Sequence, residues 1–160
     1  MKNFNENELK KIGARLLNRH ETIAVAESVT AGLLQYAFSN IPDASGFFQG
    51  GITAYNLGQK FKHLSVEPVH ALEVNCVSQK VADQMALAVA GSFAGHWGIG
   101  VTGYATPTPE SGDKVFAYYA ISHLGEIKAS GIIKPAKQDP PALQLIYTNK
   151  IIQKFYSLLK

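Results

Sequence analysis

Cysteine is almost absent from this chain. Among 160 residues Cys76 stands alone, so no internal disulfide and no sulfur-ligated metal cluster can form, which fits a reducing compartment. No apolar run approaches the ~18 residues of a membrane span. The opening Met1-Lys2-Asn3-Phe4-Asn5-Glu6-Asn7-Glu8 lacks the apolar core of a signal peptide. The expectation is a cytoplasmic protein with no membrane partner. Charge is also scarce: 17% of residues are charged, below the usual ~25%. A net charge of +3 is too small for a nucleic-acid signature, and no nucleic-acid partner is expected. The histidines, His20, His63, His70, His96 and His123, show no i, i+4 pair and no H-E-x-x-H, so no metal site is expected. What remains is an ordinary hydrophobic fraction of 46% over a length that suits one domain, residues 1–160.

Local signals divide the chain into alternating helices and strands. Asn5 with Glu8 three residues on has the form of a capping box, and Leu9, Ile12 and Leu16 follow at helical spacing, which predicts a helix from Glu6 to Arg19. Thr22 to Ala26 is a short apolar run of the kind buried strands use. A helical pattern through Leu33, Leu34, Ala37 and Phe38 follows, then a loop at Pro42 to Gly46 and a strand at Gly50 to Tyr55. Pro68 opens a further turn, and Ser78 can cap a longer helix with Val81, Met85, Ala88 and Val89 on one stripe. Trp97 to Thr102 reads as a strand. Val115 to Ser122 and Ile127 to Ile133 read as a hairpin around Leu124-Gly125. A last amphipathic helix follows Pro141. The order implies a three-layer α/β/α fold with a mixed sheet.

The chemistry concentrates in two segments. Ala26-Glu27-Ser28-Val29-Thr30-Ala31-Gly32 puts a carboxylate and two hydroxyls where a strand becomes a helix. The carboxyl ends of strands in open α/β sheets are where ligand crevices form, and helix-start N–H groups favour a phosphate or an oxyanion. Glu27, Thr30 and Gly32 are therefore candidate ligand contacts, although Ser28 or Thr30 could simply cap the helix. Tyr55 and Lys60 flank the end of the second strand. A serine beside a neutral lysine, or a tyrosinate near a cation, can perform acyl transfer. Against that, Lys60 with Lys62 and His63 also reads as a basic surface turn. Gly98-Ile99-Gly100-Val101-Thr102-Gly103 matches G-x-G-x-x-G in letters only, because its glycines sit inside a strand rather than opening a helix. Small residues there let another backbone or a ligand come close.

Four ordered segments resemble the CinA C-terminal domain family, whose characterised members are nicotinamide-nucleotide amidases. The family's A-E-S-C-T-G-G is matched by Ala26 to Gly32, and its G-G-V-x-A-Y-S-N-x-x-K by Gly50 to Lys60. Its A-V-S-x-x-V-A is matched by Cys76 to Ala82, and its V-T-G-I-A-G-P by Val101 to Pro107. The resemblance implies hydrolysis of the carboxamide of nicotinamide mononucleotide to the nicotinate nucleotide and ammonia, by a cofactor-free homodimer. It implies Ser28 as nucleophile, Tyr55 and Lys60 as activating groups, and Thr102 and Gly103 beside the ligand.

The departures carry expectations of their own. Val29 and Ala31 replace a cysteine and a glycine of the family pattern, and Phe116 stands where the family has glycine. Phe116 and Tyr104 are therefore expected to narrow the space near Ser28. The family's arginine before the last helix has no counterpart, since no arginine follows Arg19. Lys137 or Lys134 would supply the charge, without a planar bidentate fork. Two readings stand side by side: a pyridine-nucleotide amidase, and a non-catalytic family member that binds a nucleotide or a protein partner.

Overall fold

The cap at Asn5 opens a helix in the computed structural model, which describes residues 3–160. Asn5 Oδ1 accepts the Glu8 amide at 3.2 Å, and α1 (Glu6–Arg19) buries Leu9, Ile12 and Leu16 along one stripe. Then come β1 (Ile23–Glu27), α2 (Leu33–Ser39), β2 (Phe48–Thr53), α3 (Leu57–Leu64), α4 (Pro68–Glu73) and α5 (Gln79–Ser92). The chain continues through β3 (Trp97–Tyr104), β4 (Phe116–His123), β5 (Glu126–Ile133) and α6 (Pro140–Leu158). Ser78 caps α5 by accepting the Val81 amide, and Asp139 caps α6 with Pro140 at its first position, where the missing N–H costs nothing. Leu124 and Gly125 both take positive φ, as a two-residue hairpin loop requires. Among the described residues no helix is long and apolar enough to cross a membrane.

The second strand lies two residues earlier than its sequence pattern suggests, Phe48–Thr53 rather than 50–55. Hydrogen bonding sets both ends. Phe47 O accepts the Ile23 amide at 2.8 Å at one end of the ladder, and the Ala54 amide donates to Glu27 O at 2.9 Å at the other. Tyr55 therefore leaves the sheet.

The sheet is mixed and five-stranded, in the order β2-β1-β3-β4-β5. Strand β1 runs parallel to β2 and β3, and the remaining pairs are antiparallel. From β1 the chain crosses to β2 on one side, then returns to β3 on the other. That reversal leaves a crevice beyond the carboxyl ends of β1 and β3.

Helices cover both faces. On one, α1, α2 and α6 pack with Ile23, Val25, Ile99, Val101 and Phe155 in a core of large side chains. On the other, α3, α4 and α5 meet Ala24 and Ala26, while Gly98 and Gly100 let α5 lie against β3. A Cβ on Gly98 would stand 2.1 Å from Ala86 O, and one on Gly100 2.4 Å from Ala82 O. The literal G-x-G-x-x-G is thus a helix-packing surface. At the start of β3, Trp97 stacks on His123 with ring centroids 4.0 Å apart. Glu21 accepts from Trp97 Nε1 at 2.6 Å and meets His123 Nε2 at 3.0 Å.

Candidate active site

Strand β1 ends on a carboxylate that never reaches solvent. Glu27 is 0% exposed. Its oxygens accept from Thr30 Oγ1 at 2.6 Å and from the amides of Gly32, Leu34 and Gln35 at 3.1, 3.0 and 2.8 Å. A buried anion is tolerable only when so compensated, and the start of α2 supplies both donors and dipole. Those helix-start amides are thus held by the protein's own carboxylate. Glu27, Thr30 and Gly32 form an internal network, and none of the three lines the cleft described below.

Between Glu27 and α2 the chain turns sharply. Ala31 and Gly32 take φ of 51° and 101°, and the Ala31 amide donates to Ser28 O at 3.1 Å. Glycine adopts such backbone without penalty, whereas Ala31 carries a methyl into it. The turn is anchored on one side by the Glu27 network and presents Ser28, 7% exposed, to the crevice.

The partner of Ser28 comes from α3. Asn56 caps that helix by accepting the Gln59 amide at 3.1 Å, and one turn later Lys60 points inward. Lys62 and His63 stay exposed, but Lys60 is only 2% exposed. The reading of Lys60 as part of a basic surface turn therefore does not hold. Its Nζ lies 2.9 Å from Ser28 Oγ and donates to Ala54 O at 3.0 Å. Among the described residues no carboxylate pairs with it. Burial pushes the Lys60 ammonium below the usual lysine range, partly offset by the neighbouring Cys76 thiol. The Cys76 thiol is pushed up by its own burial, which Lys60 opposes. A lysine that releases its proton more readily, held on a serine hydroxyl, has the chemistry to exchange a proton with it.

Ser28 and Lys60 line a cleft of about 420 Å³ that also includes Tyr55, Thr102, Gly103 and Tyr104. Tyr55 is 72% exposed at its rim, so the structure joins Ser28 to Lys60 and leaves the tyrosine apart from that pair. Thr102 is buried and donates to Cys76 O at 2.7 Å. Gly103 faces β4 closely, since a Cβ there would stand 2.4 Å from Phe116 O. Tyr104 accepts from Asn75 Nδ2 at 3.2 Å, and Tyr147 donates to its carbonyl at 2.8 Å. The expectation for the two rings is half corrected. Tyr104 lines the serine cleft, but Phe116 lies edge-on against it at 5.4 Å and lines a separate groove. Lys137 and Lys134 line that second groove too, and neither faces the serine.

Several lining residues were not expected at the site from the linear sequence. Asn75 and Cys76 take consecutive left-handed conformations, with φ of 51° and 60°. Asparagine tolerates this backbone, which is the one local hint. Gln144 reaches the cleft from α6, far away in the chain. Of the histidines, His70, His96 and His123 are hydrogen-bonded to Ser78, Thr22 and Glu21.

Known proteins share both sequence and architecture with this chain. A protein of Moorella thermoacetica described as competence-damage inducible is 41% identical over 118 residues, 72% of this chain and 28% of its own. A CinA-like protein of Picosynechococcus is 39% identical over 69% of this chain and 26% of its own. The chain thus spans about a quarter of the length of these curated relatives. Among solved structures, a competence-damaged protein (CinA) superfamily protein from Escherichia coli superposes with a TM-score of 0.90 at 24% identity, covering 98% of this chain and 91% of that one. Another from Klebsiella pneumoniae gives 0.90 at 20% identity, covering 96% of each chain, and at such identities the likeness concerns the fold. Residues 5–130 match the CinA C-terminal domain family, and to that family the chain belongs.

Proposed function

We propose that the chain is a serine-dependent amidase acting on the carboxamide of a pyridine nucleotide, with nicotinamide mononucleotide the substrate that family resemblance implies. The observation that carries this reading is the contact of 2.9 Å between Lys60 Nζ and Ser28 Oγ, both buried and both lining the cleft. A charged Lys60 donates to Oγ, whereas a neutral one accepts from it and donates to Ala54 O. Desolvation favours the neutral form. Neutral Lys60 takes the Ser28 proton as Oγ attacks the carboxamide carbon. The C–N bond then breaks, and Lys60 returns that proton to the departing nitrogen as ammonia. Water repeats the attack on the resulting ester, releases the carboxylate and restores Ser28.

A non-catalytic binding role has one observation in its favour: Glu27 already occupies the helix-start amides that would otherwise receive an oxyanion. One assay separates the two readings. Ammonia release from saturating nicotinamide mononucleotide is expected from the wild type and not from Ser28→Ala. Equal release from both would remove the amidase.

A further inference from the structure

We infer that Tyr104 is the residue that recognises the charged ring of the substrate, its aromatic side chain forming the wall against which the pyridinium lies. This rests on the amidase reading and assigns one part of that substrate to one side chain. Tyr104 departs from the family pattern, in which V-T-G-I-A-G-P has isoleucine at this place in Val101 to Pro107. Its position is fixed from three directions. Asn75 Nδ2 donates to its hydroxyl at 3.2 Å, Tyr147 donates to its carbonyl at 2.8 Å, and the Phe116 ring meets it at 5.4 Å with the planes 72° apart. A side chain already held this way loses little further freedom when a ligand packs on it. Tyr55, the other tyrosine of the cleft, stands 72% exposed at the rim.

Tyr104 is also near the chemistry. Alternate residues of a strand share a face, so Tyr104 and Thr102 lie on the same side of β3. Thr102 Oγ1 donates to Cys76 O at 2.7 Å, and the preceding residue, Asn75, holds the Tyr104 hydroxyl. Cys76 is beside Lys60, whose Nζ is 2.9 Å from Ser28 Oγ. A carboxamide carbon attacked by that oxygen is one bond from its ring. The ring therefore lies in the same cleft of about 420 Å³, which Tyr104 lines together with Ser28 and Lys60. A pyridinium carries a positive charge spread over its ring. The face of a tyrosine is electron-rich and attracts such a cation, whereas a neutral ring of the same outline gains contact alone.

The test uses nicotinamide mononucleotide and its reduced, dihydro form, which keeps the ribose, the phosphate and the carboxamide but has no charge on the ring. Binding of each is measured by calorimetry in the Ser28→Ala protein, where turnover does not interfere. Tyr104→Leu in that background is expected to weaken the charged form by roughly two- to thirtyfold and the reduced form by clearly less. Tyr104→Phe keeps the ring and drops the hydroxyl, and is expected to bind both forms much as tyrosine does. Unchanged affinity or an equal loss of both forms in a folded Tyr104→Leu protein overturns the proposal, as does a loss as large in Tyr104→Phe. Tyr104→Ile serves if the leucine variant does not fold. The amidase reading is judged separately, by ammonia release from the wild type. Charge-selective binding through Tyr104 without ammonia release removes that reading and keeps the ring site. Ammonia release with no charge dependence at Tyr104 does the reverse, and if neither form binds, both fall.

Discussion

The two faces of the sheet are assembled on opposite principles. Toward α1, α2 and α6 the strands present branched and aromatic side chains that fill the space between layers. Toward α5 they present Ala24, Ala26, Gly98 and Gly100, so the helix backbone itself comes to the sheet. One face is held by side-chain volume, the other by close approach. The difference bears on the site, because α3 packs with α5 on the small-residue side and carries Lys60 inward.

Variants that touch each face differently break or sharpen that contrast. The largest effect is expected at the buried amine. Lys60→Met should lower kcat/KM by about 10²–10⁴, the usual worth of a general base, measured as ammonia release. In the wild type, activity should rise with pH through a pKa below the usual lysine value, because the proposed mechanism uses the free amine. The same shift has a stability sign. The unfolded chain holds the Lys60 proton more tightly, so the desolvation penalty is full at low pH. It is relieved as pH climbs from the folded pKa toward the unfolded one.

Removing volume from the large-residue face comes next. Phe155 is fully buried there, edge-on to Phe38 and Trp97, and Phe155→Ala should cost about 3–5 kcal/mol in chemical denaturation. Adding volume to the other face should cost somewhat less: Gly98→Ala, whose methyl must displace the backbone at Ala86, is expected to cost about 1–3 kcal/mol. If Gly98→Ala were neutral, α5 would not be held by close approach. The smallest effect is a gain. Ala31→Gly relieves a left-handed alanine and should stabilise by about 1 kcal/mol, read as a higher denaturation midpoint.

Local signals were legible in the sequence wherever a few neighbouring residues decide the outcome. Helix α1, the caps at Asn5 and Ser78 and the turn at Leu124-Gly125 lie within one or two residues of their expected places. The pairing of Ser28 with Lys60 is of another kind, expected from the family resemblance but not decided by local pattern. Three basic side chains in four residues look alike in a string, and only the docking of α3 decides that the first goes in while Lys62 and His63 stay out. Phe116 shows the same limit from the other side. Standing where the family pattern has glycine, it is expected at the serine cleft, yet strand alternation and the Tyr104 ring turn it to the adjoining groove.

The lone tryptophan has a practical consequence. Trp97 begins the strand whose far end reaches the cleft at Tyr104, about 23 Å away at 3.3 Å per residue. Its indole is held by the His123 imidazole and the Glu21 carboxylate, which lie at the end of the sheet away from the cleft. Tryptophan emission from this protein is therefore a gauge of whether the sheet is intact. Trp97 makes no contact with the cleft, so a ligand search is better served by calorimetry or product detection, while the same fluorescence checks that each variant has folded.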